Sequence, residues 1–206
     1  MELDADRDSS RRISLGGVLS PLRLVFVYKP IWDLAVCSFF FSAMQLCLTT
    51  FLVTYLTKEL GFSLVMAGLV LSVAQAAGIV GRLLWGWVAD HWISSRILLG
   101  LLAIGMASCA LLLAIFAPGW PLAWILVLCA AFGGMAIGWN GVYLAEVARL
   151  APTGQTGAIT GGSLFLTYAG VVSGPPLFVG IVSLTGEYAT GFLVFGIIVI
   201  SIGSLL

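Results

Sequence analysis

Six stretches of this sequence contain no charged side chain: residues 34–57, 60–81, 97–117, 118–145, 150–186 and 188–206. Each is long enough, or nearly so, to cross ~30 Å of hydrocarbon as a helix. Strands are excluded, because lipid-facing and lumen-facing residues do not alternate and open sheet edges cannot sit in lipid. The composition agrees: 61% of the 206 residues are hydrophobic and only 9% charged, whereas soluble domains carry about a quarter charged residues. Such a chain cannot cover itself in water, so the bilayer is its solvent. The expected fold class is an all-α polytopic membrane protein. Its six transmembrane helices are expected at about 32–56, 63–88, 97–117, 121–145, 157–183 and 188–206.

The charges divide the chain into two parts. Before Pro30 stand Arg7, Arg11, Arg12, Arg23 and Lys29 with Glu2, Asp4, Asp6 and Asp8, and only nine charged side chains follow. Residues 1–30 therefore read as a cytoplasmic linker-like segment, and 31–206 as the six-helix bundle. The head is too acidic and polar to be a signal peptide. Its apolar stretch, 13–29, reads equally as a surface-lying interfacial segment or as a plain linker. With six spans, the head and the 89–96 and 146–156 loops share one side and hold most of the basic residues. Lys58 stands alone on the other. The positive-inside rule then places both termini in the cytoplasm, in the inner membrane of a bacterium. The last apolar run stops without a polar tail, which suggests a piece of a longer protein.

Several chemistries find no support. Nine basic residues balance nine acidic ones without a basic stripe, which disfavours nucleic acid. Cys37, Cys47, Cys109 and Cys129 all lie in apolar runs, and His91 is the single histidine, so no metal site, disulfide or cofactor is expected. An intramembrane enzyme needs a nucleophile beside a base. His91 sits at the cytoplasmic interface, whereas Ser163 and Ser173 lie within the fifth span, and catalysis is not expected.

The densest local signal is GRLLWGWVADHWISSR, residues 81–96. Gly86 and Asp90 stand one helical turn apart at the end of the second span, where glycine lets a neighbouring helix approach. These residues resemble the cytoplasmic-loop motif of the major facilitator superfamily, G-x-x-x-D-[RK]-x-G-[RK]-[RK]. Gly86 and Asp90 match it. His91 takes the first basic position, Ile93 replaces the glycine, Ser94 and Ser95 replace the basic pair, and Arg96 follows one place later. GWNGVYLAEVARLAPTGQTGAITGG (138–162) and GVVSGPPLFVGIV (170–182) resemble the tenth and eleventh spans of such carriers. The resemblance implies the C-terminal half-bundle, spans seven to twelve, of a twelve-span secondary transporter. It also implies alternating access for a small-molecule solute, and a cytoplasmic gate of Arg82, Asp90, Glu146 and Arg149. The partner would be an N-terminal six-helix half, on the same longer chain or separate, or a second copy. The alternative is a truncated or partner subunit without transport of its own.

Polar groups near mid-span are the candidates for a substrate cavity, since their burial in lipid is costly. These are Gln45, Gln75, Asn140, Tyr143 and Tyr168, each of which equally reads as interhelical glue. The fifth span is expected to be the most irregular, with Gly174, Pro175 and Pro176 as its bending points. Every carboxylate beyond the head (Asp33, Glu59, Asp90, Glu146, Glu187) sits near a helix end, so proton coupling has no mid-span group here.

Overall fold

In lipid every backbone N–H and C=O must be satisfied within the protein, and each apolar run meets that demand as a helix. The computed structural model describes residues 15–206, and they form eight helices: α1 (Leu15–Val27), α2 (Lys29–Lys58), α3 (Leu64–His91), α4 (Ser95–Ala114), α5 (Leu122–Ala136), α6 (Asn140–Leu150), α7 (Thr156–Thr185) and α8 (Tyr188–Gly203). Five spans are long and apolar enough to cross a membrane: α2, α3, α4, the α5–α6 pair as Leu122–Leu150, and α7. The shorter, apolar α8 makes the sixth. The all-helical fold class expected from the sequence is what the chain adopts.

Local chemistry sets the ends. Pro30 falls in the first turn of α2, where its missing N–H has no helical partner to lose, and the helix starts at Lys29 rather than 32. Ser63 caps α3, accepting from the Met66 N–H at 3.3 Å. Gly186 closes α7 with a left-handed φ of 81°, a conformation that only glycine adopts freely.

The fourth span departs from expectation. Instead of one helix over 121–145, the chain forms α5 and α6 with an interruption at 137–139. The fifth span, expected to be the irregular one, runs as a single helix through Pro175 and Pro176. Gly138 lies in the interruption beneath Trp85, whose indole Nε1 donates to the Gly134 carbonyl at 2.8 Å.

The helices pack most closely as three pairs: α2 with α7, α3 with α5, and α4 with α8. Small residues allow it. A methyl group at Gly81 would collide with the Gly134 carbonyl, one at Gly133 with the Ala74 carbonyl, and one at Gly170 with the Phe39 carbonyl. Within the head, residues 1–14 lie outside the described residues. The remainder docks as α1 on α7, with Val25 fully buried and 2.9 Å from where a Cβ at Gly162 would stand. Arg23, Phe26 and Val27 stay exposed.

The two ends of the bundle are distinct. At the basic end, Arg96 at the start of α4 donates to the Pro30 carbonyl at 2.9 Å and lies 3.9 Å from Glu146 near the end of α6. At the far end, the Glu59 carboxylate accepts from the backbone N–H groups of Tyr188 and Ala189 at the start of α8.

Candidate functional site

A cavity of about 310 Å³ opens between α2, α3, α6 and α7, room for roughly ten water molecules. Its polar lining is Ser42, Gln45, Arg82, Asn140, Thr167 and Tyr168, set among Leu46, Leu144, Leu164 and Val171. Three further depressions among the described residues are lined almost wholly by apolar side chains. Polar groups gathered at one place in a lipid-embedded bundle make this cavity the candidate for a solute site.

Hydrogen bonds fix the orientation of this lining. Trp139 Nε1–H can only donate, and it reaches Gln45 Oε1 at 3.2 Å. Asn140 Nδ2 donates to the same oxygen at 3.1 Å. The Gln45 oxygen is thus turned toward α6, and its amide N–H groups are committed to no partner among the described residues. Gln45 and Asn140 are both glue and cavity wall.

Arg82 supplies the only formal charge in the lining. Its Nε donates to the Ile137 carbonyl at 3.2 Å, beside the interruption in the fourth span. A cation is favoured there by the helix C-terminus, which leaves carbonyls short of donors. The terminal nitrogens make no hydrogen bond among the described residues, so they keep the planar fork that matches an oxyanion.

The remaining expected site residues are placed as follows. Tyr168 lines the cavity, whereas Tyr143 is fully buried behind it. Gln75 lies on an exposed part of α3 outside the cavity. Glu146 is buried and holds Arg149 in a two-pronged ion pair, with contacts of 2.8 and 2.6 Å. Arg96, absent from the expected gate, joins that pair instead of Arg82. Arg82 touches neither Asp90 nor Glu146: eight residues before Asp90, it sits about 12 Å deeper along α3. Asp90 is exposed and takes part in no ion pair or side-chain hydrogen bond among the described residues. Among the described residues, an added Cβ at Gly86 would meet nothing within 4 Å.

The sequence profile of the Major Facilitator Superfamily matches residues 4–175. This chain belongs to the major facilitator superfamily. The family is one of membrane transporters, not of enzymes. Curated relatives include the "Probable nitrate/nitrite transporter NarK2" of Mycobacterium tuberculosis, in strains CDC 1551 / Oshkosh and ATCC 25618 / H37Rv. Each is 32% identical over 151 residues, covering 70% of this chain and 36% of the relative. Among solved structures, the Escherichia coli fucose:proton symporter FucP superposes with a TM-score of 0.74 at 18% identity, over 94% of this chain and 46% of that one. FucP in the outward conformation gives 0.71 at 19%, over 95% and 46%. At that identity the likeness concerns the fold alone. The chain therefore spans about a third to a half of the length of the transporters it resembles.

The family's half-bundle fold accommodates a polar layer that reading the sequence missed. Ser38, Ser42, Ser163 and Thr167 meet where α2 packs on α7, with Ser38 Oγ 2.9 Å from Thr167 Oγ1 and Ser42 donating to the Thr167 carbonyl at 2.7 Å. The available signal was spacing: Ser38 and Ser42 on one helix, and Ser163 and Thr167 on another, are each one turn apart on a single face.

Proposed function

We propose that this chain is the C-terminal six-helix half of a major facilitator carrier that moves a small oxyanion of the nitrate or nitrite kind by alternating access. Arg82 carries the reading, because it is the sole charged residue lining the polar cavity and its terminal nitrogens are uncommitted. A guanidinium holds a planar oxyanion by two parallel charge-assisted hydrogen bonds. Gln45, Asn140, Thr167 and Tyr168 add neutral donors around it. The name of the mycobacterial relative supports the substrate class.

Transport requires a second wall to the cavity, and the proposed partner is the N-terminal six-helix half, on the same longer chain or separate. Its helices would approach the open face at Gly86 and give Asp90 its missing partners, which completes the gate with Glu146 and Arg149. Gly174, Pro175 and Pro176 would let α7 flex as the halves rock. Residues 138–162 and 170–182 support the C-terminal assignment through their likeness to the tenth and eleventh spans. The excess of basic residues at one end supports a cytoplasmic location for that end, and for both termini, in a bacterial inner membrane. Residues 15–29 would lie where the bundle meets the cytoplasmic membrane surface.

The test is uptake of ¹⁵N-nitrate and ¹⁵N-nitrite by vesicles made from the protein's own membranes. Arg82→Gln is expected to lower uptake by about 100-fold at low substrate, as loss of charge-assisted hydrogen bonds predicts. The amount of protein in the membrane should stay constant. Uptake of either anion that survives this substitution removes Arg82 from the site, and absence of uptake of both anions by the unaltered vesicles removes the oxyanion reading.

A further inference from the structure

An amide side chain has two ends of nearly the same shape and opposite polarity. Its last torsion is soft, so packing alone does not choose which end faces which way. Gln45 poses that choice at the cavity wall. With its N–H groups inward it offers donors to an anion. With its oxygen inward it would set a lone pair against the ion instead. The uncommitted fork of Arg82 opens on the same cavity and would attract a freed amide oxygen, which would then occupy the cation that the ion needs.

Asn140 cannot make the choice alone. Its Nδ2 donates to Gln45 Oε1 at 3.1 Å. If both amides turned over, Gln45 would donate to Asn140 Oδ1 and the pair would be just as well bonded. The further contact of Asn140 Nδ2 with the Ile137 carbonyl, at 3.4 Å, exceeds the usual range and holds it weakly. Trp139 breaks the tie. An indole N–H donates and never accepts, and it lies 3.2 Å from the same Gln45 oxygen. Turning Gln45 over would face that N–H with another donor and leave it unpaired. The indole is held in place: Trp139 is fully buried, with the Phe41 ring edge-on at 5.5 Å between centroids and the Tyr143 ring at 5.4 Å. It stands in the interruption at 137–139, the same short segment whose Ile137 carbonyl accepts from Arg82 Nε. Arg82 and Gln45 are thus both held from one piece of chain.

We propose that Trp139 is a positioning residue for the solute, whose N–H fixes the polarity of the Gln45 amide so that its N–H groups face the oxyanion and its oxygen stays off Arg82. The inference rests on the reading of the cavity as an oxyanion site. Trp139 lies behind the wall and acts only through Gln45, so it sets affinity without touching the ion.

The experiment measures the half-saturating concentration and the maximal rate of ¹⁵N-nitrate and ¹⁵N-nitrite uptake in the same vesicles for Trp139→Phe, Gln45→Met and the double variant. Phenylalanine keeps an aromatic ring and loses the N–H; methionine keeps the length of glutamine and loses the amide. Gln45→Met is expected to raise the half-saturating concentration about tenfold, as loss of a hydrogen bond to a charged ligand predicts. Trp139→Phe should raise it about fivefold, the lower edge of what an unpaired buried N–H costs when the amide turns over. The maximal rate per amount of protein should hold. The double variant should match Gln45→Met alone, because a residue that acts through Gln45 has nothing left to orient. An unchanged half-saturating concentration in either single variant overturns the proposal. Losses that multiply in the double variant overturn it too, and make Trp139 a support of the fold. If Trp139→Phe leaves no protein in the membrane, β-(3-benzothienyl)alanine at position 139 takes its place, with the bicyclic shape kept, the N–H absent and the same result expected. If the unaltered vesicles take up neither anion, the oxyanion reading fails and this inference with it. If Arg82→Gln lowers uptake while loss of the indole N–H moves nothing, the cavity reading stands and only the positioning role is lost.

Discussion

A carboxylate closes each end of the bundle, and the two do it differently. At the far end Glu59 grips the backbone N–H groups that open α8, so its partners are fixed by the fold itself. At the basic end Glu146 is buried and answered by two long side chains, Arg149 (67% exposed) and Arg96 (31% exposed). Backbone partners cannot leave without unwinding a helix, whereas arginine side chains exchange partners by changing rotamers. The far end is built as a clasp, and the basic end as a contact that can be remade.

Glu146→Gln breaks this comparison hardest. It removes a buried charge between two cations, and losing one member of a buried pair costs about 3–5 kcal/mol. Because Arg149 can turn to water, we expect a stability loss at the lower edge, about 2–3 kcal/mol. The thermal unfolding midpoint in detergent should fall by about 5–10 °C. A midpoint within 1 °C of the unaltered chain would mean that the arginines, not Glu146, hold that end together.

Glu59→Gln tests the clasp and should cost less. The amide oxygen still accepts one N–H, so only one hydrogen bond and the charge–dipole attraction are lost, together about 1 kcal/mol. The sharper readout is local: amide exchange at Tyr188 and Ala189 should accelerate while that of α4 does not. Uniform acceleration across the bundle would make Glu59 a global support, and the two ends would then no longer differ in kind.

How much of this was legible beforehand follows from the physics of each feature. The spans were legible because charged residues punctuate all but the third and fourth, which Pro118 and Gly119 divide, and lipid leaves few other folds for such runs. The interruption at 137–139 was hidden, since no proline or charge marks it and Gly138 is one of many glycines. Arg82 was expected at the gate because it stands near Asp90 in the sequence. Depth says nothing about which way the residue faces, and the helix turns it into the cavity rather than toward the gate. Gln75, also near mid-span, faces outward on the same helix for the same reason. Serine and threonine are the hardest to read, because in a helix they can bond their own preceding turn. Ser72 and Ser108 do so on exposed faces, donating to Gly68 and Ile104 at 2.9 Å. Ser38 and Ser163 have the same local sequence character, and only packing reveals that they face one another's helices.

Asp90→Asn is the smallest change in stability and the one that ties the basic end to transport. Asp90 is exposed, has no ion pair or side-chain hydrogen bond among the described residues, and follows an open Gly86 on the same helix side. No contact among the described residues is lost when its charge goes, so thermal stability should stay within about 0.5 kcal/mol. Uptake by membrane vesicles should nevertheless fall, and by more than the amount of protein does. An effect on transport without one on stability points to a contact made beyond the described residues, at the face offered to the second half. If stability drops by more than about 1 kcal/mol, Asp90 is a support of the fold and leaves the gate. If uptake merely follows the protein level, the basic end is gated by Glu146 and its two arginines alone.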